Sequence, residues 1–345
     1  MARFTLLCLG ALIGLAGLYL VWTPAALIRA EQTPPSAPSV KIAPISDALS
    51  FARIGKQTIA VSSYANGRVT GLPVGNEGED AISLVNRLGY DGASALIAKG
   101  GVPITANVAE LAVPVDLLSR HIAAGTNYRE HAEEATVEGG PFLFAKYVAP
   151  TPSRASVSAG DALLDYEVEL CLVTLDATST TQRAKGGLML CNDVTNRAKL
   201  MRNVDVAHPE SGEGFTTGKS APGYLPVGDL FVVPRDLNRY VAGLTLQLSV
   251  NGQERQRTPA TMWIWDLDRL FAEAGKLRDR EWAYEGGIAR LPIDAEGNVP
   301  ARTLVLAGTP GGTVFAGVDL RSIGRGLAAW LAGGWDKPFT AQVVE

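Results

Sequence analysis

Two glutamates, Glu167 and Glu169, interrupt a largely apolar segment of the chain, LLDYEVELCLVTL. A run of this length and composition predicts a β-strand, in which side chains two positions apart lie on the same face of a sheet. Burying two carboxylates side by side is unfavourable unless a positive charge or a metal ion compensates them. A solvent-exposed strand edge is the alternative, but the flanking leucine and valine residues favour a buried strand. The segment therefore predicts an internal strand that carries a charged site.

Asp193 supplies a third carboxylate at the end of the next apolar segment, LMLCND. Three carboxylates, with no cysteine motif and only a distant histidine, favour Mg²⁺ or Mn²⁺ over zinc, with Ca²⁺ as a further candidate. The same strand parity places Cys171 and Cys191 on the ligand-bearing face. They are interpreted as two buried small apolar side chains, and a disulfide between paired strands is the alternative.

His131 and Glu134 are three residues apart in NYREHAEE, a segment that predicts a short helix. Residues at this spacing share a helix face, so the carboxylate can orient the imidazole and raise its basicity. Such a pair can take a proton from water near neutral pH. An ordinary pair on a helix surface is the alternative interpretation.

The overall composition narrows the classes of protein to consider. The chain has 345 residues, of which 47% are hydrophobic, enough for one substantial core and a smaller lobe. The net charge is −4 and no run of lysine and arginine occurs, which argues against a nucleic-acid partner. Three cysteines are too few and too scattered for a disulfide framework or a zinc site.

The first part of the chain differs from the rest, because residues 4–28 carry no charge and are dominated by leucine, alanine and glycine. At about 1.5 Å per residue, a helix of this length exceeds the ~30 Å hydrocarbon core of a bilayer. Residues 1–30 therefore predict a transmembrane signal anchor, with a cleaved signal peptide as the alternative. The rest of the chain is expected to be periplasmic or extracytoplasmic, either anchored to the membrane or secreted after cleavage.

Two further segments precede the carboxylate-bearing strands. Residues 31–48 are rich in proline and serine and predict an extended tether. Residues 49–115 predict a small N-terminal lobe, in which Asn66-Gly67 indicates a hairpin turn. Helical periodicity over residues 79–100, broken by glycines, indicates two short helices in the same lobe.

Residues 116–345 contain short apolar runs separated by glycine, proline, aspartate and asparagine. These runs predict strands, with helices only near residues 127–135 and 262–277. A mostly β chain with few helices argues against a doubly wound sheet, in which strands and helices alternate. The predicted fold class is therefore α+β and mostly β.

Several motifs occur in an order that resembles the fumarylacetoacetate hydrolase family over roughly residues 116–320. They are NYREHAEE, FLFAKY, the Glu167-x-Glu169 pair, Asn192-Asp193, GKS and GTPGG. The resemblance implies that residues 116–345 form a catalytic domain, a mixed β-roll with short helices. It also implies that Glu167, Glu169 and Asp193 bind the metal ion, and that His131 and Glu134 are catalytic. The small lobe and one transmembrane helix would precede this domain.

The resemblance also assigns roles to cationic and turn residues. Lys219 in the GKS motif is similar to the lysine that faces the metal site of the family and stabilises an oxyanion, so it is predicted to be catalytic. Four residues are expected to bind substrate: Arg129 in the Asn-Tyr-Arg context, Lys146 near the entrance, Arg197 four positions after Asp193, and Thr309 in the Gly-Thr-Pro turn. For each of them an ordinary exposed cation or turn residue is the alternative.

The activity implied by the resemblance is metal-dependent hydrolysis of a carbon–carbon bond in a 1,3-diketone or acylpyruvate-type 2-oxo acid. Decarboxylation of an oxaloacetate-type 2-oxo diacid and a non-catalytic, membrane-tethered binding module are the alternatives. The expected partners are a small 2-oxo acid and, through the N-terminal helix, the membrane, and the sequence is compatible with a homodimer. One departure from the family concerns the substrate, because Leu200 stands where a glutamine is common.

Overall fold

A computed structural model of the chain describes residues 40–314, apart from residues 136, 138, 159–162 and 206. The strands are β1 (Ala48–Ile54), β2 (Gln57–Ala65), β3 (Arg68–Pro73), β4 (Ile104–Asn107), β5 (Arg120–Gly125), β6 (Phe142–Tyr147), β7 (Thr151–Pro152), β8 (Leu164–Asp165), β9 (Val168–Val173), β10 (Thr178–Ser179), β11 (Gly187–Asn192), β12 (Thr195–Asn196), β13 (Pro226–Val227), β14 (Phe231–Pro234), β15 (Thr245–Val250), β16 (Gln253–Pro259), β17 (Trp282–Tyr284), β18 (Gly287–Ala289), β19 (Asn298–Val299) and β20 (Leu304–Leu306). The α-helices are α1 (Ala81–Ala98), α2 (Arg129–Glu134), α3 (Arg197–Asn203), α4 (Phe215–Lys219), α5 (Leu237–Val241) and α6 (Leu267–Lys276).

One mixed sheet organises these elements, with the strand order β4-β3-β2-β1-β14-β11-β9-β20-β5-β6. Most neighbours are antiparallel, but β20 pairs with β5 in parallel. The predicted α+β class, a mixed sheet with short helices, is confirmed. The strands of the N-terminal lobe belong to the same sheet, because β1 pairs with β14. The domain boundary near residue 115 stays a prediction.

The predicted fold class included a transmembrane helix, and this part of the prediction is corrected by the structure. Within the part of the chain that is described, no helix combines the length and the apolar character needed to cross a membrane. The longest of these helices, α1, has 18 residues, carries Arg87 and Asp91, and is interrupted at Gly89. The segment predicted to span the membrane, residues 1–30, lies outside the described residues.

The central strands are apolar on both faces because packed elements cover both. Successive residues of β9 alternate between two hydrophobic clusters, with Cys171 in one and Leu172 in the other. The first cluster includes Ile82 of α1, and the second includes Phe271 of α6. A strand covered on both sides has a nearly continuous apolar sequence, which explains the pattern around the two glutamates.

The predicted hairpin and the paired helices of the N-terminal part are confirmed. Strands β2 and β3 meet at Asn66 and Gly67, both with positive φ (54° and 71°), as a tight hairpin turn requires. Helix α1 is divided at Gly89, whose φ of 67° is not helical. The pair Asp91-Gly92 lies within the second part of α1 and does not interrupt it.

Asp80 joins three segments of this part of the structure. Its carboxylate accepts hydrogen bonds from the backbone N–H of Ser83 (3.0 Å), which caps α1, and from that of Asp116 (2.9 Å). Arg302, just before β20, donates to both carboxylate oxygens at 2.5 and 3.0 Å. Burial raises the pKa of Asp80, but these donors outweigh it and lower the pKa from 3.8 to about 2.

The lowered pKa of Asp80 predicts a pH-dependent contribution to stability. A carboxyl group with a depressed pKa in the folded state stabilises the fold above its ordinary pKa, and the contribution is lost as the pH falls from about 4 to about 2. The size of the shift corresponds to about 2 kcal/mol. The free energy of unfolding of wild type and Asp80→Asn should therefore differ by at least about this amount near neutral pH. The difference should shrink on acidification.

The exposed Asp91→Asn variant is the control, and it should stay close to wild type throughout. A difference between wild type and Asp80→Asn that remains constant down to about pH 2 would contradict this role of Asp80.

Candidate active site and metal centre

Three buried carboxylates converge where β9 and β11 pair. Glu167 precedes β9, Glu169 lies in it opposite Cys191, and Asp193 follows β11. The backbone N–H of Asp193 donates to the carbonyl of Glu167 (3.0 Å), which fixes the two strand ends beside each other. One ligand atom from each carboxylate lies within 4.8 Å of the others. The structure thus brings together the three residues that the sequence proposed as metal ligands.

Two lysines neutralise part of this charge. Lys219, at the end of α4, donates to Glu167 Oε2 at 2.7 Å and to Asp193 Oδ2 at 2.9 Å. Lys146, in β6, donates to Asp193 Oδ1 and to the carbonyl of Lys219, both at 2.5 Å. Lys146 is fully buried, so its predicted place near the entrance is corrected: it lies inside the protein, against Asp193.

Arg197 connects the cluster to a fourth carboxylate. Its Nη2 lies 2.9 Å from Glu167 Oε1, and its Nε donates to Asp165 Oδ2 at 2.7 Å. Burial raises the pKa of Glu167, but the charges of Lys219 and Arg197 outweigh it and lower that pKa to about 2. Glu167 is therefore ionised at neutral pH.

Glu169 differs from the other members because it has no cationic hydrogen-bond partner in the described structure. Its Oε2 accepts the backbone N–H of Gly308 at 2.7 Å, whereas its Oε1 is buried without a hydrogen-bond partner. Burial, and then the negative charges of Asp193 and Glu167, raise its pKa well above the ordinary value.

The cluster has one more carboxylate than it has cationic side chains. Four carboxylates, those of Asp165, Glu167, Glu169 and Asp193, face the three cations of Lys146, Arg197 and Lys219. Ionisation of all four would leave one negative charge without a countercharge, which agrees with the raised pKa of Glu169, and the orphaned oxygen belongs to the same residue. A divalent cation would supply the missing charge and a partner for this oxygen, so the residues fit a metal ion with oxygen ligands.

A cavity of about 290 Å³ opens beside the cluster. Among its lining residues are Glu167, Arg197 and Lys219 from the charged cluster, and His131 and Glu134 from α2. The imidazole Nδ1 of His131 lies 3.7 Å from Glu134 Oε2, so the predicted pair shares a face of the helix and points to the cavity. His131 is 7% exposed, which rules out the alternative of a pair on an open helix surface.

Helix α2 is held at both ends by residues distant in sequence. Asn127, just before it, is fully buried; its side chain donates to the carbonyls of Trp265 and Ala307 and accepts the N–H of Trp265. At the other end, Glu134 accepts the backbone N–H of Gly312 at 2.7 Å. Burial raises the pKa of Glu134, but the contacts with His131 and Gly312 lower it by more than burial raises it. The pKa of Glu134 is therefore below its ordinary value.

The remaining residues predicted to bind substrate differ in position. Thr309 is buried and lines the cavity, and its hydroxyl donates to the carbonyl of Val168 at 3.0 Å. Arg197 also lines the cavity. Arg129 is exposed at the first position of α2 and is not among the described lining residues, so the structure does not bring it to the cavity.

Two supporting residues were missed from the sequence. Asp165 lies two positions before Glu167, so the same period-two spacing that paired the glutamates could have identified it. Gln256, in β16, is 1% exposed and donates to Thr309 Oγ1 (2.8 Å) while accepting the N–H of Val168 (3.0 Å). No local sequence signal identifies Gln256, because its partners are more than fifty residues away.

The two cysteines behind the carboxylates form a disulfide, Cys171–Cys191. The interpretation as two separate apolar side chains is therefore corrected, because β9 and β11 pair in a register that places the two cysteines diagonally across the strands. Cys171 follows Glu169 by two residues and Cys191 precedes Asp193 by two. The bond thus links the two strands next to the residues that carry the carboxylates.

The disulfide predicts a measurable contribution to stability. Cross-linking residues 20 apart restricts the unfolded chain by about 3 kcal/mol. The Cys171→Ala/Cys191→Ala variant should lose about this free energy of unfolding, and reductant should destabilise wild type but not the variant. Peptide mapping without reductant should recover the two cysteines in one linked pair. Free thiols at both positions in protein purified without reductant would contradict the bond.

Comparison with known proteins adds a family to this geometry. The family described as fumarylacetoacetate (FAA) hydrolase C-terminal matches residues 120–333. A curated relative, the 2,4-didehydro-3-deoxy-L-rhamnonate hydrolase of Sphingomonas sp. (strain SKA58), is 24% identical over 181 residues. The match covers 50% of this chain and 60% of the relative, so less than two thirds of that protein is represented.

Solved structures share the fold. One is a probable 2-hydroxyhepta-2,4-diene-1,7-dioate isomerase from Mycobacterium abscessus, with a TM-score of 0.51 and 22% identity over 77% of this chain and 87% of that one. Another is a 5-carboxymethyl-2-hydroxymuconate delta-isomerase from Mycobacterium smegmatis, with a TM-score of 0.50 and 18% identity over 77% of this chain and 90% of that one. At these identities the likeness establishes the fold.

Proposed function

Because the chain belongs to the fumarylacetoacetate hydrolase family, we propose that it is a metal-dependent hydrolase that cleaves a carbon–carbon bond in an acylpyruvate-type 2-oxo acid. The observation that carries the proposal is that the His131–Glu134 pair lines the same cavity as Glu167, the member of the carboxylate cluster that reaches this space. A base and a charged centre in one enclosed space are the two groups that such a cleavage requires. The names of similar proteins, a hydrolase and isomerases, support an enzyme in this superfamily.

Glu167, Glu169 and Asp193 are the proposed ligands of Mg²⁺ or Mn²⁺, with Ca²⁺ as a further candidate. Their oxygen donors suit these hard cations, and the unpartnered oxygen of Glu169 supports the assignment. When bound, such a cation supplies positive charge that stabilises the enolate released as the carbon–carbon bond breaks.

His131 is the proposed general base. Since its Nδ1 faces Glu134, Nε2 is the nitrogen left to take a proton from water. The water oxygen then attacks the acyl carbonyl carbon, and the bond between that carbon and the pyruvate methylene breaks. The electron pair stays with the methylene carbon, which takes up a proton from His131. The products are a carboxylic acid and pyruvate, so one water is consumed for each bond cleaved.

Lys219 and Thr309 are placed to assist this reaction. Both line the cavity beside Glu167, and the ammonium of Lys219 can stabilise negative charge that develops on an attacked carbonyl oxygen. Thr309 lies in the turn after β20. By resemblance to the family, its proposed role is to bind the carboxylate of the substrate. Arg197 holds Glu167 in position through its contact with Oε1.

Decarboxylation of an oxaloacetate-type diacid is the second candidate, because it would use the same stabilised enolate. It needs no attacking water and therefore gives no role to a base. The buried His131 next to Glu134 in the cavity thus favours hydrolysis. A non-catalytic binding module would explain the carboxylate cluster but gives no role to the buried His131 beside Glu134 in the cavity.

The proposed metal site predicts stabilisation by Mn²⁺ or Mg²⁺. A cation that binds only the folded state at about 100 times its dissociation constant adds about 2.7 kcal/mol to the free energy of unfolding. Wild type should therefore unfold at a higher temperature with Mn²⁺, whereas Asp193→Asn should lose most of this shift. Asp91→Asn, at an exposed position, is the matched control and should keep it. An equal shift in Asp193→Asn would place the cation elsewhere.

The proposed base predicts a separation between metal binding and turnover. His131→Ala should lower kcat for acylpyruvate cleavage by about 10²–10⁴-fold because water loses its proton acceptor. The variant should keep the Mn²⁺-induced thermal shift of wild type. His208→Ala is the matched control, since His208 is an exposed histidine that is not among the described lining residues of the cavity, and it should retain full activity.

The same assay distinguishes the second candidate. A decarboxylase would release carbon dioxide from oxaloacetate and lose less activity from His131→Ala than from Asp193→Ala. Metal-loaded, folded wild type that decarboxylates oxaloacetate but leaves every acylpyruvate intact would refute the hydrolase proposal.

A further inference from the structure

The cavity has a charged end and an apolar end. The charged end is formed by Glu167, Arg197, His131 and Lys219. The remaining wall is formed largely by apolar side chains: Val137, Phe144, Leu200, Met201, Val204 and Phe215. The proposed reaction occupies the charged end, so the apolar end is available for the part of the substrate that does not react.

Helix α3 connects the two ends. Arg197 at its first position faces the carboxylates, Leu200 and Met201 follow at spacings of three and four residues, and Val204 comes directly after the last helical residue. Residues at these spacings share one helix face. The seven residues of α3 at about 1.5 Å each extend over about 10 Å, so the helix leads from the ionic cluster toward the apolar end of the cavity.

Leu200 is held in place by the neighbouring helix. Leu200 is 4% exposed. If Gly218 of α4 carried a Cβ atom, that atom would lie 2.7 Å from the Cβ of Leu200. This close approach packs Leu200 against α4. Phe215 on the same helix also lines the cavity, and its ring contacts Phe142 (4.7 Å between centroids) and Phe144 (5.4 Å). The far wall is therefore a packed aromatic and aliphatic surface.

The cations near the cavity are located at the charged end. Among the described lining residues the cations are Arg197 and Lys219, and both contact Glu167. On the same helix, Lys199 points away and pairs with Glu285 at 3.5 Å, and Arg202 is exposed. Lys219 Nζ also lies 5.9 Å from the centroid of the Phe144 ring, so Phe144 borders the charged end. The described wall around Leu200, Met201 and Val204 offers no cation to a second carboxylate, and burying an unpaired carboxylate there would be unfavourable.

We propose that the substrate carries an apolar acyl group in the far end of the cavity, against Leu200, Met201 and Val204, and that Leu200 determines this specificity. The inference rests on the proposed function for the bond that is cleaved. It adds the chemical class of the substrate: an alkyl or aryl acylpyruvate rather than a 2-oxo diacid with a distal carboxylate.

Chain-length dependence of turnover tests the proposal. With full-length, Mn²⁺-loaded protein, kcat/KM should rise by about fourfold for each methylene group added from acetylpyruvate toward octanoylpyruvate, until the cavity is filled. Fumarylpyruvate, a diacid, should be a poorer substrate than a neutral acylpyruvate of similar length. Equal kcat/KM across the series, or a preference for the diacid, would overturn the proposal.

Variants of Leu200 locate the effect. Leu200→Gln should lower kcat/KM for the longest favoured acylpyruvate by at least about tenfold and reduce the dependence on chain length. It should change cleavage of acetylpyruvate by less than about threefold. Leu200→Met, which keeps an apolar side chain of similar volume, should behave like wild type, as should Arg202→Gln on the exposed side of the helix. A chain-length dependence that is the same in Leu200→Gln and wild type would assign the specificity elsewhere.

Binding of unreactive 2-oxo acids separates this inference from the proposed function. Calorimetric titration with pyruvate, 2-oxohexanoate and 2-oxooctanoate should show affinity rising with chain length in wild type and rising less in Leu200→Gln. This result would support the apolar end even if no acylpyruvate were cleaved, in which case the hydrolase proposal alone would fail. Affinity independent of chain length would overturn the inference whatever the turnover.

Discussion

Burial of several carboxylates at one place is the constraint on which the rest of the structure depends. An unpaired buried charge is strongly unfavourable, so each carboxylate requires a cation or several hydrogen bonds. Lys146, Arg197 and Lys219 come from three different elements, β6, α3 and α4, and each reaches at least one member of the cluster. The loops that deliver these elements are therefore tied to the two central strands. The cavity lies between helices α3 and α4 and the ends of the central strands, because these helices must approach the strand ends to bring their cations to the carboxylates.

The residues around this cluster are of two kinds. Some are charged or bind a charged group, and others hold neighbouring segments in position through hydrogen bonds. Glu167 has two cationic partners, whereas Glu169 has a backbone N–H and an open oxygen. Asn127 and Gln256 contact no described member of the metal cluster directly, but they fix the loops that carry His131 and Thr309. A site of this kind depends on neutral amides as much as on ions, because a displaced base or turn would lose its place in the cavity.

Local patterns were sufficient for part of this arrangement. Period-two spacing predicted that Glu167 and Glu169 share a face, and helical spacing predicted that His131 and Glu134 do. The position of Lys146 was not predictable, because it depends on the pairing of β5 with β6 and on a carbonyl of α4. The disulfide likewise depends on the register of β9 against β11, which no local pattern specifies. Apolar length alone indicated a membrane helix, which the described residues do not contain.

The position of β20 has a consequence for the order in which the molecule assembles. Among the described residues this strand is the last of the central sheet in sequence, yet it lies between β9 and β5 and hydrogen-bonds to both. Until residues 304–306 are synthesised, two internal strands have open edges, and Gly308 cannot reach Glu169. Unpaired edges of this kind promote association between chains, and contacts between distant residues slow folding. We therefore expect the nascent chain to depend on protection of these edges during translation, and the carboxylate cluster to be among the last parts of the molecule to close.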